Sequence, residues 1–107
     1  MLTNLQLLKD YFQIYRDDIS YTLKSENHEM TYYEVTIKKP NENGELVIFF
    51  QNELDSGVYL FKSFEMALSF SHEMKSAYPE IRRGIKRIVE QPDFSKKEFI
   101  VVDEFAM

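Results

Sequence analysis

The sequence predicts a single α+β domain over residues 1–107, built around an antiparallel sheet, and two observations support this prediction. Residues 32–38 alternate between apolar and polar side chains, the period-two pattern of a strand with one solvent-facing side. Residues 45–51 contain an unbroken apolar run, so both faces of that segment need apolar cover. Between them, residues 40–44 combine proline with Asn43-Gly44 and favour a chain reversal. We therefore expect a hairpin whose second strand, 45–51, is the central strand of the sheet.

The composition is that of a globular domain without covalent cross-links. Hydrophobic residues make up 44% of the chain, and the absence of cysteine excludes disulfides, thiolate metal sites and cysteine nucleophiles. No window approaches the ~18 apolar residues that span a bilayer, and the N-terminal residues lack the basic start of a signal peptide. These features predict a cytoplasmic protein without a membrane partner.

Charge is distributed unevenly along the chain, whose formal net charge is −5. Residues 1–74 carry 6 basic and 12 acidic side chains, whereas residues 75–97 carry 7 basic and 3 acidic ones. The last ten residues contain three acids and no base. Such asymmetry says more about partners than the total charge does.

The N-terminal segment predicts a helix that ends at residues 17–18. Thr3 and Gln6 have the spacing of a capping box, and Leu2 and Leu7 have the spacing of a hydrophobic staple. Apolar residues then recur at intervals of three and four. We expect this helix to pack one side on the sheet.

Two further strands complete a predicted four-stranded antiparallel meander. Residues 19–25 alternate between apolar and polar side chains, and a turn over residues 26–29 leads into the hairpin. After the hairpin, residues 52–57 are rich in turn formers, and residues 58–61 form a short fourth strand.

The C-terminal part of the chain predicts one or two helices and a last strand. Ser63 caps a helix that Pro79 interrupts. Residues 80–90 have isoleucines at helical spacing and are predicted as a second helix, although Gly84 weakens its middle and a strand is the alternative. Residues 98–105 form a strand that joins the sheet.

The nucleophile and metal motifs of common enzymes are missing from the sequence, which has no G-x-S-x-G, Walker loop, G-x-G-x-x-G or H-E-x-x-H. His28 and His72 are expected to be ordinary surface or boundary residues. Asp17-Asp18 and the pair Glu53 and Asp55 fit helix-end and turn roles better than a cation site. We expect no cofactor, no metal and no enzymatic activity.

The segment 80–90, if helical, places four cations together on the face opposite its isoleucines. One interpretation is a solvated face neutralised by the acidic remainder of the domain. The other is an anion-binding surface for phosphate or an acidic partner. The candidate residues are Arg82, Arg83, Lys86 and Arg87.

Methionine and aromatic residues suggest two further surfaces. Met66, Phe70 and Met74 recur at i, i+4 and i+8. This stripe fits either core packing or an adaptable binding site for a partner. Val47 and Phe49 would be exposed if all helices cover the other face of the sheet. A monomer with helices on both faces and a homodimer are both left open.

The helix-strand-strand-strand opening resembles the double-stranded-RNA-binding domain, and the stretch NHEMTYYEVTI from Asn27 to Ile37 resembles the histidine-bearing loop of that family. The resemblance implies phosphate contacts from a lysine-rich start of the second helix. Here the corresponding KSFEMALSF contains only Lys62, and an extra strand intervenes. Only His28 is carried over as an RNA contact, and no family is assigned.

The leading hypothesis is a small non-enzymatic intracellular protein, an adaptor or inhibitor, that binds a protein partner. Its acidic loops would face a basic partner, a type of role common among small proteins of phages and mobile elements. The alternative is a nucleic-acid-binding domain that uses the basic segment 82–97. The candidate partner-binding residues are Glu42, Glu45, Glu53, Asp55, Met66, Phe70 and Met74.

Overall fold

The computed structural model describes residues 4–106, which form an α+β fold with a six-stranded antiparallel sheet. Leu2 and Thr3, which belong to the predicted N-terminal cap, lie outside the described residues. Within residues 4–106, no helix is long and apolar enough to cross a membrane. The helices are α1 (Asn4–Lys9), α2 (Arg16–Glu26) and α3 (Phe64–Ala77). The strands are β1 (Gln13–Ile14), β2 (Met30–Pro40), β3 (Leu46–Ile48), β4 (Val58–Phe61), β5 (Arg82–Glu90) and β6 (Lys96–Asp103).

Strand β2 is the centre of the sheet, whose order is β1-β4-β2-β5-β6 with β3 also paired to β2. β5 pairs with one edge of β2, while β4 and β3 share the other edge. The prediction of residues 45–51 as the central strand is therefore wrong, because β3 has three residues and pairs with β2 alone. Part of the apolar run is covered by Tyr78, which follows α3 in the chain, since the ring centroids of Phe49 and Tyr78 lie 4.8 Å apart.

The predicted turn between β2 and β3 is confirmed. The Asn41 N–H donates to the carbonyl of Glu45, and the Asn41 side chain accepts hydrogen bonds from the N–H groups of Asn43 and Glu45. Gly44 has a φ of +80°, a left-handed conformation that glycine adopts without a steric cost. Local turn chemistry thus sets the register of this hairpin.

Helix α3 covers one face of the sheet, and its predicted N-terminus is confirmed. The Oγ of Ser63 accepts a hydrogen bond from the N–H of Met66, and the helix ends before Pro79. Residues directly opposite each other in antiparallel strands share a face, so Val35 lies on this side with Tyr59 and Ile85. The buried side chains of this α3 face are Leu7, Val35, Ile37, Tyr59, Phe61, Ala67, Phe70, Met74, Ile81 and Ile85.

Helix α2 covers part of the opposite face, where the sequence predicted a strand over residues 19–25. Ile19 and Leu23 lie one helical turn apart, and both are fully buried. Asp17 and Asp18, interpreted above as the end of a helix, lie in the first turn of α2, where carboxylates interact favourably with the helix dipole. The predicted four-stranded meander is therefore wrong, because its first strand is helical and β4 pairs with β2 rather than with β3. This α2 face contains Ile14, Ile19, Leu23, Tyr32 and Ile88, with Met30 and Leu60 half-buried.

The N-terminal helix is shorter than predicted, because α1 ends at Lys9. A turn follows, in which the N–H of Tyr11 donates to the carbonyl of Leu8. Strand β1 then pairs with β4, and Ile14 is buried on the α2 face. Apolar residues that the sequence assigned to one helical face are thus divided between two faces of the sheet.

The prediction of a helix over residues 80–90 is wrong, because this segment forms β5. Ile85 is buried on the α3 face and Ile88 on the α2 face. An inner strand buries apolar residues on both of its faces, so its isoleucines had the spacing of an apolar helix face. Gly84 fits the strand because a Cβ there would lie 2.4 Å from the Phe105 ring. The predicted C-terminal strand is confirmed as β6.

Candidate interaction surface

Strand β6 forms one edge of the sheet and exposes a run of apolar side chains. Its inner side pairs with β5, and no residue of the described chain pairs with its outer side. Phe99, Ile100 and Val101 are 42%, 67% and 45% exposed. An edge strand presents unpaired N–H and C=O groups, and a long apolar edge is a template for another strand. Open hydrogen-bonding groups and exposed apolar side chains therefore coincide on β6.

Charged residues flank the apolar centre of β6. Lys96 and Lys97 lie at its start, and Asp103 lies at its end, followed by Glu104. The Oδ1 of Asp103 accepts a hydrogen bond of 2.9 Å from the N–H of Phe105 and so helps to shape the chain after the strand. The strand thus has one basic end and one acidic end.

A β-bulge interrupts the ladder between β5 and β6. Lys86 lies opposite Ile100 and Ile85 lies opposite Val102, so Val101 has no opposite residue in β5. Bulges and lysines at a sheet edge both limit indiscriminate strand pairing. Any strand that adds to β6 must therefore match both its shape and its charges.

The turn between β5 and β6 holds Phe94 in an unusual conformation. Its φ is +69°, and half of its surface is exposed. The N–H of Phe94 donates to the carbonyl of Gln91 at 2.8 Å, and the N–H of Gln91 donates to the carbonyl of Ser95 at 2.8 Å. A residue with a Cβ pays ~1–2 kcal/mol in the left-handed region, so glycine or asparagine would suit this position better. Backbone strain and exposure therefore coincide at one aromatic residue beside the open edge.

Side chains of β5 support the hairpin that presents this edge. The guanidinium of Arg87 lies 4.6 Å from the centre of the Phe99 ring, and the Nζ of Lys86 lies 3.5 Å from a carboxylate oxygen of Glu98. Arg83 donates to Glu104 from Nη2 at 2.6 Å, and this hydrogen bond lowers the pKa of the Glu104 carboxyl. β6 is therefore attached to the sheet by side chains as well as by its ladder.

The predicted cluster of four cations is not formed. Side chains alternate between the two faces of a strand, so Arg82 and Lys86 lie on the opposite face from Arg83 and Arg87. Arg83 pairs with Glu104 and Lys86 pairs with Glu98. Arg82 is exposed, and the predicted single basic surface is divided between two sides of the sheet.

The predicted methionine stripe lies mostly inside the protein. Phe70 and Met74 are fully buried on the α3 face, and Met66 is half-buried against the same core. These side chains pack on the sheet, so the stripe is not an open partner surface. Of the two sheet residues named with it, Phe49 is half-buried whereas Val47 is 46% exposed.

The predicted acidic residues separate into exposed and structural groups. Glu42 and Glu45 are exposed in the β2–β3 turn, and Glu53 is exposed in the following loop. Asp55 is buried and holds that loop together, since its carboxylate accepts hydrogen bonds from the N–H groups of Gln51 and Gly57 and from the hydroxyl of Tyr59. Three of these four side chains are therefore accessible to a partner.

The two histidines take part in separate local contacts. His28 is exposed in the turn after α2, where its Nε2 lies 3.2 Å from Glu26. His72 on α3 lies 3.2 Å from a guanidinium nitrogen of Arg83. The turn predicted over residues 26–29 is present, but the helix-strand-strand-strand order behind the RNA-binding resemblance is not, because residues 16–26 are helical.

Sequence reasoning identified the last strand but missed its exposed edge and the strained aromatic before it. The pattern KKEFIVVDE, residues 96–104, was visible as an apolar run between opposite charges. The residues Pro92-Asp93-Phe94 before this strand were visible as a turn that lacks glycine at Phe94, the position with a positive φ.

No protein-family model, curated protein or solved structure matches this chain.

Proposed function

We propose that this protein is a small non-enzymatic interaction domain that binds a protein partner by accepting an extended strand along β6. The observation that supports it is the open, apolar outer edge of a strand of eight residues. In this mode, main-chain hydrogen bonds provide affinity, and alternate side chains of the bound strand provide specificity. Phe94 at the adjacent turn would contact whatever extends past the basic end of β6.

The alternatives within the sheet support β6 over the other edge. β1 has two residues and β3 has three, so neither offers a long ladder. At β6, three consecutive apolar residues are exposed beside open backbone groups. An exposed run of this kind in a stable domain needs cover, and a partner strand provides it.

The acidic loops offer a second contact region for the same class of partner. Glu42, Glu45 and Glu53 are exposed, and Leu54 beside Glu53 is 95% exposed. The buried Asp55 fixes this loop, which reduces the entropy lost on binding. These charges would attract a basic partner, and their main effect would be to increase its association rate.

Nucleic-acid binding is the second candidate, and one specific observation favours it. Arg87, Lys96 and Lys97 lie on the β5–β6 hairpin together with the exposed rings of Phe94 and Phe99. Interleaved cations and aromatic rings bind single strands by charge and base stacking. The acidic remainder of the chain opposes this binding, so a protein strand is the preferred occupant.

A comparative pull-down from the source cell tests the proposal. The bait proteins are the wild type, an Ile100→Lys/Val101→Lys variant and, as a control, Tyr21→Lys, which adds a charge at a more exposed position on α2. Circular dichroism first verifies that all three are folded. We expect proteins captured by the wild type and by Tyr21→Lys to be lost with the β6 variant.

Retention of the same proteins by the β6 variant would contradict the proposal. Nucleic acids in each pull-down are identified separately, followed by gel shift at low salt. A shift that Lys97→Glu abolishes, without any captured protein, would favour the second candidate.

A further inference from the structure

We propose that the strand accepted by β6 is an acidic segment of the partner, and that it inserts one aromatic side chain into a cavity between β5 and β6. This inference rests on the proposed function, because it names the chemistry of the strand that the open edge receives. The grounds are the shape of the cavity beside the edge and the positive charge at the start of β6.

A cavity of about 340 Å³ lies beside the edge strand, on the part of the α2 face that α2 leaves uncovered. Gly84 and Lys86 share this face with Ile88, because alternate residues of a strand point to the same side. Thr36 lies opposite Gly84, and Ile100 lies opposite Lys86. Gly84 has no side chain to fill the space, so it forms the floor. The cavity is lined by Thr36, Gly84, Lys86, Ile100, Asp103 and Phe105, among others.

The β-bulge shapes the side of the cavity that faces the edge. Ile100 lies opposite Lys86 and Asp103 lies opposite Gly84, so these two residues of β6 flank the cavity although they are three positions apart. Val101 between them has no opposite residue in β5. Both flanking residues are exposed. The bulge therefore leaves a gap on this face, through which a side chain of an added strand can reach the cavity.

The walls of the cavity suit an aromatic side chain. The Phe105 ring lies over Gly84, and the ammonium of Lys38 lies 4.5 Å from the centre of that ring. The Oδ1 of Asp103 accepts from the N–H groups of Phe105 and Ala106, which fixes the backbone that carries the ring. A fixed ring offers a second ring an edge-to-face or stacked contact. An added strand lies ~4.8 Å outside β6, so only a long side chain reaches this ring.

The charges along β6 favour an acid in the bound strand. Lys97 is exposed and has no ion pair within residues 7–106. At the other end of the edge, Glu104 already pairs with Arg83 at 2.6 Å. A carboxylate beside Lys97 is therefore attractive, whereas a lysine there is repelled. This acid is a local feature of the strand and is compatible with a partner that is basic elsewhere.

The direction of the bound strand sets the order of its two features. All strand pairs of this sheet within residues 4–106 are antiparallel, and antiparallel pairing is slightly more stable per residue. In an antiparallel complex, the residue opposite Ile100 precedes the residue opposite Lys97 by three positions. We therefore expect an aromatic residue followed, at least three positions later, by an acid.

Selection from peptides of random sequence tests the chemistry of this strand. Peptides of about twelve residues, long enough to cover β6, are displayed on phage and selected on the wild type. Their affinities are then compared with those for the Ile100→Lys/Val101→Lys variant. We expect the selected peptides to share the aromatic-then-acid pattern and to lose affinity for the variant. Peptides without an aromatic residue, or the absence of any selected peptide, would contradict the inference.

Thr36→Phe tests the cavity without altering β6. Thr36 lies on β2, two strands from the edge, so the new ring fills the cavity and leaves the open backbone groups in place. The dissociation constant of a selected peptide should rise about tenfold or more. Thr31→Phe is the matched control, since it makes the same change at an exposed position of β2 outside the cavity, opposite Val89. It should leave the dissociation constant unchanged, and circular dichroism verifies that both variants are folded.

Tryptophan fluorescence reports whether the aromatic side chain enters the cavity. The chain contains no tryptophan, so a peptide whose aromatic residue is tryptophan supplies the only indole in the complex. Its emission should shift to the blue with the wild type and with Thr31→Phe, because the ring leaves water. It should not shift with Thr36→Phe.

Charge reversal tests the acidic part of the strand. Lys97→Glu should raise the dissociation constant about fivefold, because it places two carboxylates side by side. Lys62→Glu is the control, since it reverses another exposed lysine, which follows β4 and lies away from the cavity. It should leave the affinity unchanged.

Equal affinities of the wild type and a folded Thr36→Phe overturn the cavity as the site of insertion, and an unchanged affinity of Lys97→Glu overturns the acidic strand. These results are separable from failure of the proposed function. If the selected peptides lack the pattern but the Ile100→Lys/Val101→Lys variant still loses captured proteins, β6 accepts a strand of different chemistry. If peptides with the pattern bind that variant as tightly as the wild type, they bind elsewhere, and both the inference and the proposed function are wrong.

Discussion

The fully buried carboxylate of Glu90 accepts two hydrogen bonds from the guanidinium of Arg16, at 2.6 and 2.7 Å. The Tyr32 hydroxyl donates a third, at 2.6 Å. Arg16 begins α2, whereas Glu90 ends β5, so the pair attaches the helix to the α2 face of the sheet. All side-chain polar atoms that are buried within residues 7–106 have a hydrogen-bond partner, and this cluster accounts for the most deeply buried charge.

Replacing Arg16 by Met should lower the free energy of unfolding by about 3 to 5 kcal/mol, because Glu90 would keep its buried charge without a cation. The matched control is Lys39→Met, which removes a pair between exposed side chains, Lys39 and Glu80, at 3.3 Å. Its cost should be at most about 1 kcal/mol. Urea denaturation monitored by circular dichroism measures both, and equal losses would contradict the role assigned to Arg16.

The same cluster predicts a loss of stability in acid. The hydrogen bond from Arg16 holds the pKa of Glu90 below its ordinary value. A group with a lowered pKa in the folded state contributes stability above its unfolded pKa, about 4.3, and this contribution disappears as pH falls through the folded pKa. Unfolding free energies measured between neutral pH and strong acid should therefore fall more for the wild type than for Glu90→Gln. Parallel curves would show that this carboxylate does not titrate as proposed.

Tyr59 should stabilise the loop that contains Asp55. Its hydroxyl lies 2.5 Å from both carboxylate oxygens of Asp55, which is buried. Tyr59→Phe should cost about 1 to 3 kcal/mol, because a buried acceptor loses a donor, and it should speed amide exchange at Gly57. Tyr21→Phe is the control, since that side chain is 74% exposed and its loss should fall within about 0.5 kcal/mol. Equal effects of the two variants would refute a structural role for the hydroxyl.

The position of the central strand predicts unequal costs for two isoleucines. Ile85 lies in β5 and is fully buried, whereas Ile48 in β3 is half-buried. Ile85→Ala should cost about 2 to 5 kcal/mol, and Ile48→Ala should cost clearly less. Thermal melting of both variants provides the comparison. A larger loss for Ile48 would restore the assignment of residues 45–51 as the central strand.

Phe94→Gly should stabilise the protein while weakening the interaction at β6. The φ of +69° suits glycine, so the gain should be about 0.5 to 1 kcal/mol despite the added freedom of the unfolded chain. Phe12→Gly is the control, because Phe12 is similarly exposed but is not among the described residues with positive φ. That change should destabilise by a comparable amount. If Phe94→Gly destabilises the protein, the strain assigned to this turn is absent.

Local chemistry in the sequence was sufficient for part of the fold and little of the candidate site. The Asn43-Gly44 reversal, the Ser63 cap and the last strand depend on residues close in sequence, and each was predicted. The candidate site was not, because exposure of Ile100 depends on which strand occupies the sheet edge. The basic residues of β5 were identified individually from the sequence. Their division between two faces of the sheet was not predicted, because it follows from this segment being a strand rather than the predicted helix.

The sequence by itself determined the α+β class, a strand over residues 32–38 within β2, the strand over residues 58–61, the helix after Ser63 and a C-terminal strand, predicted over residues 98–105 and observed over residues 96–103. These follow from periodicity, turn residues and caps, which act within a few residues. Only the tertiary structure decided that residues 16–26 are helical and residues 82–90 extended, because both segments have apolar residues that fit either period. Their conformations were selected by burial: α2 covers the face that α3 leaves open, and β5 lies between them with isoleucines on both sides.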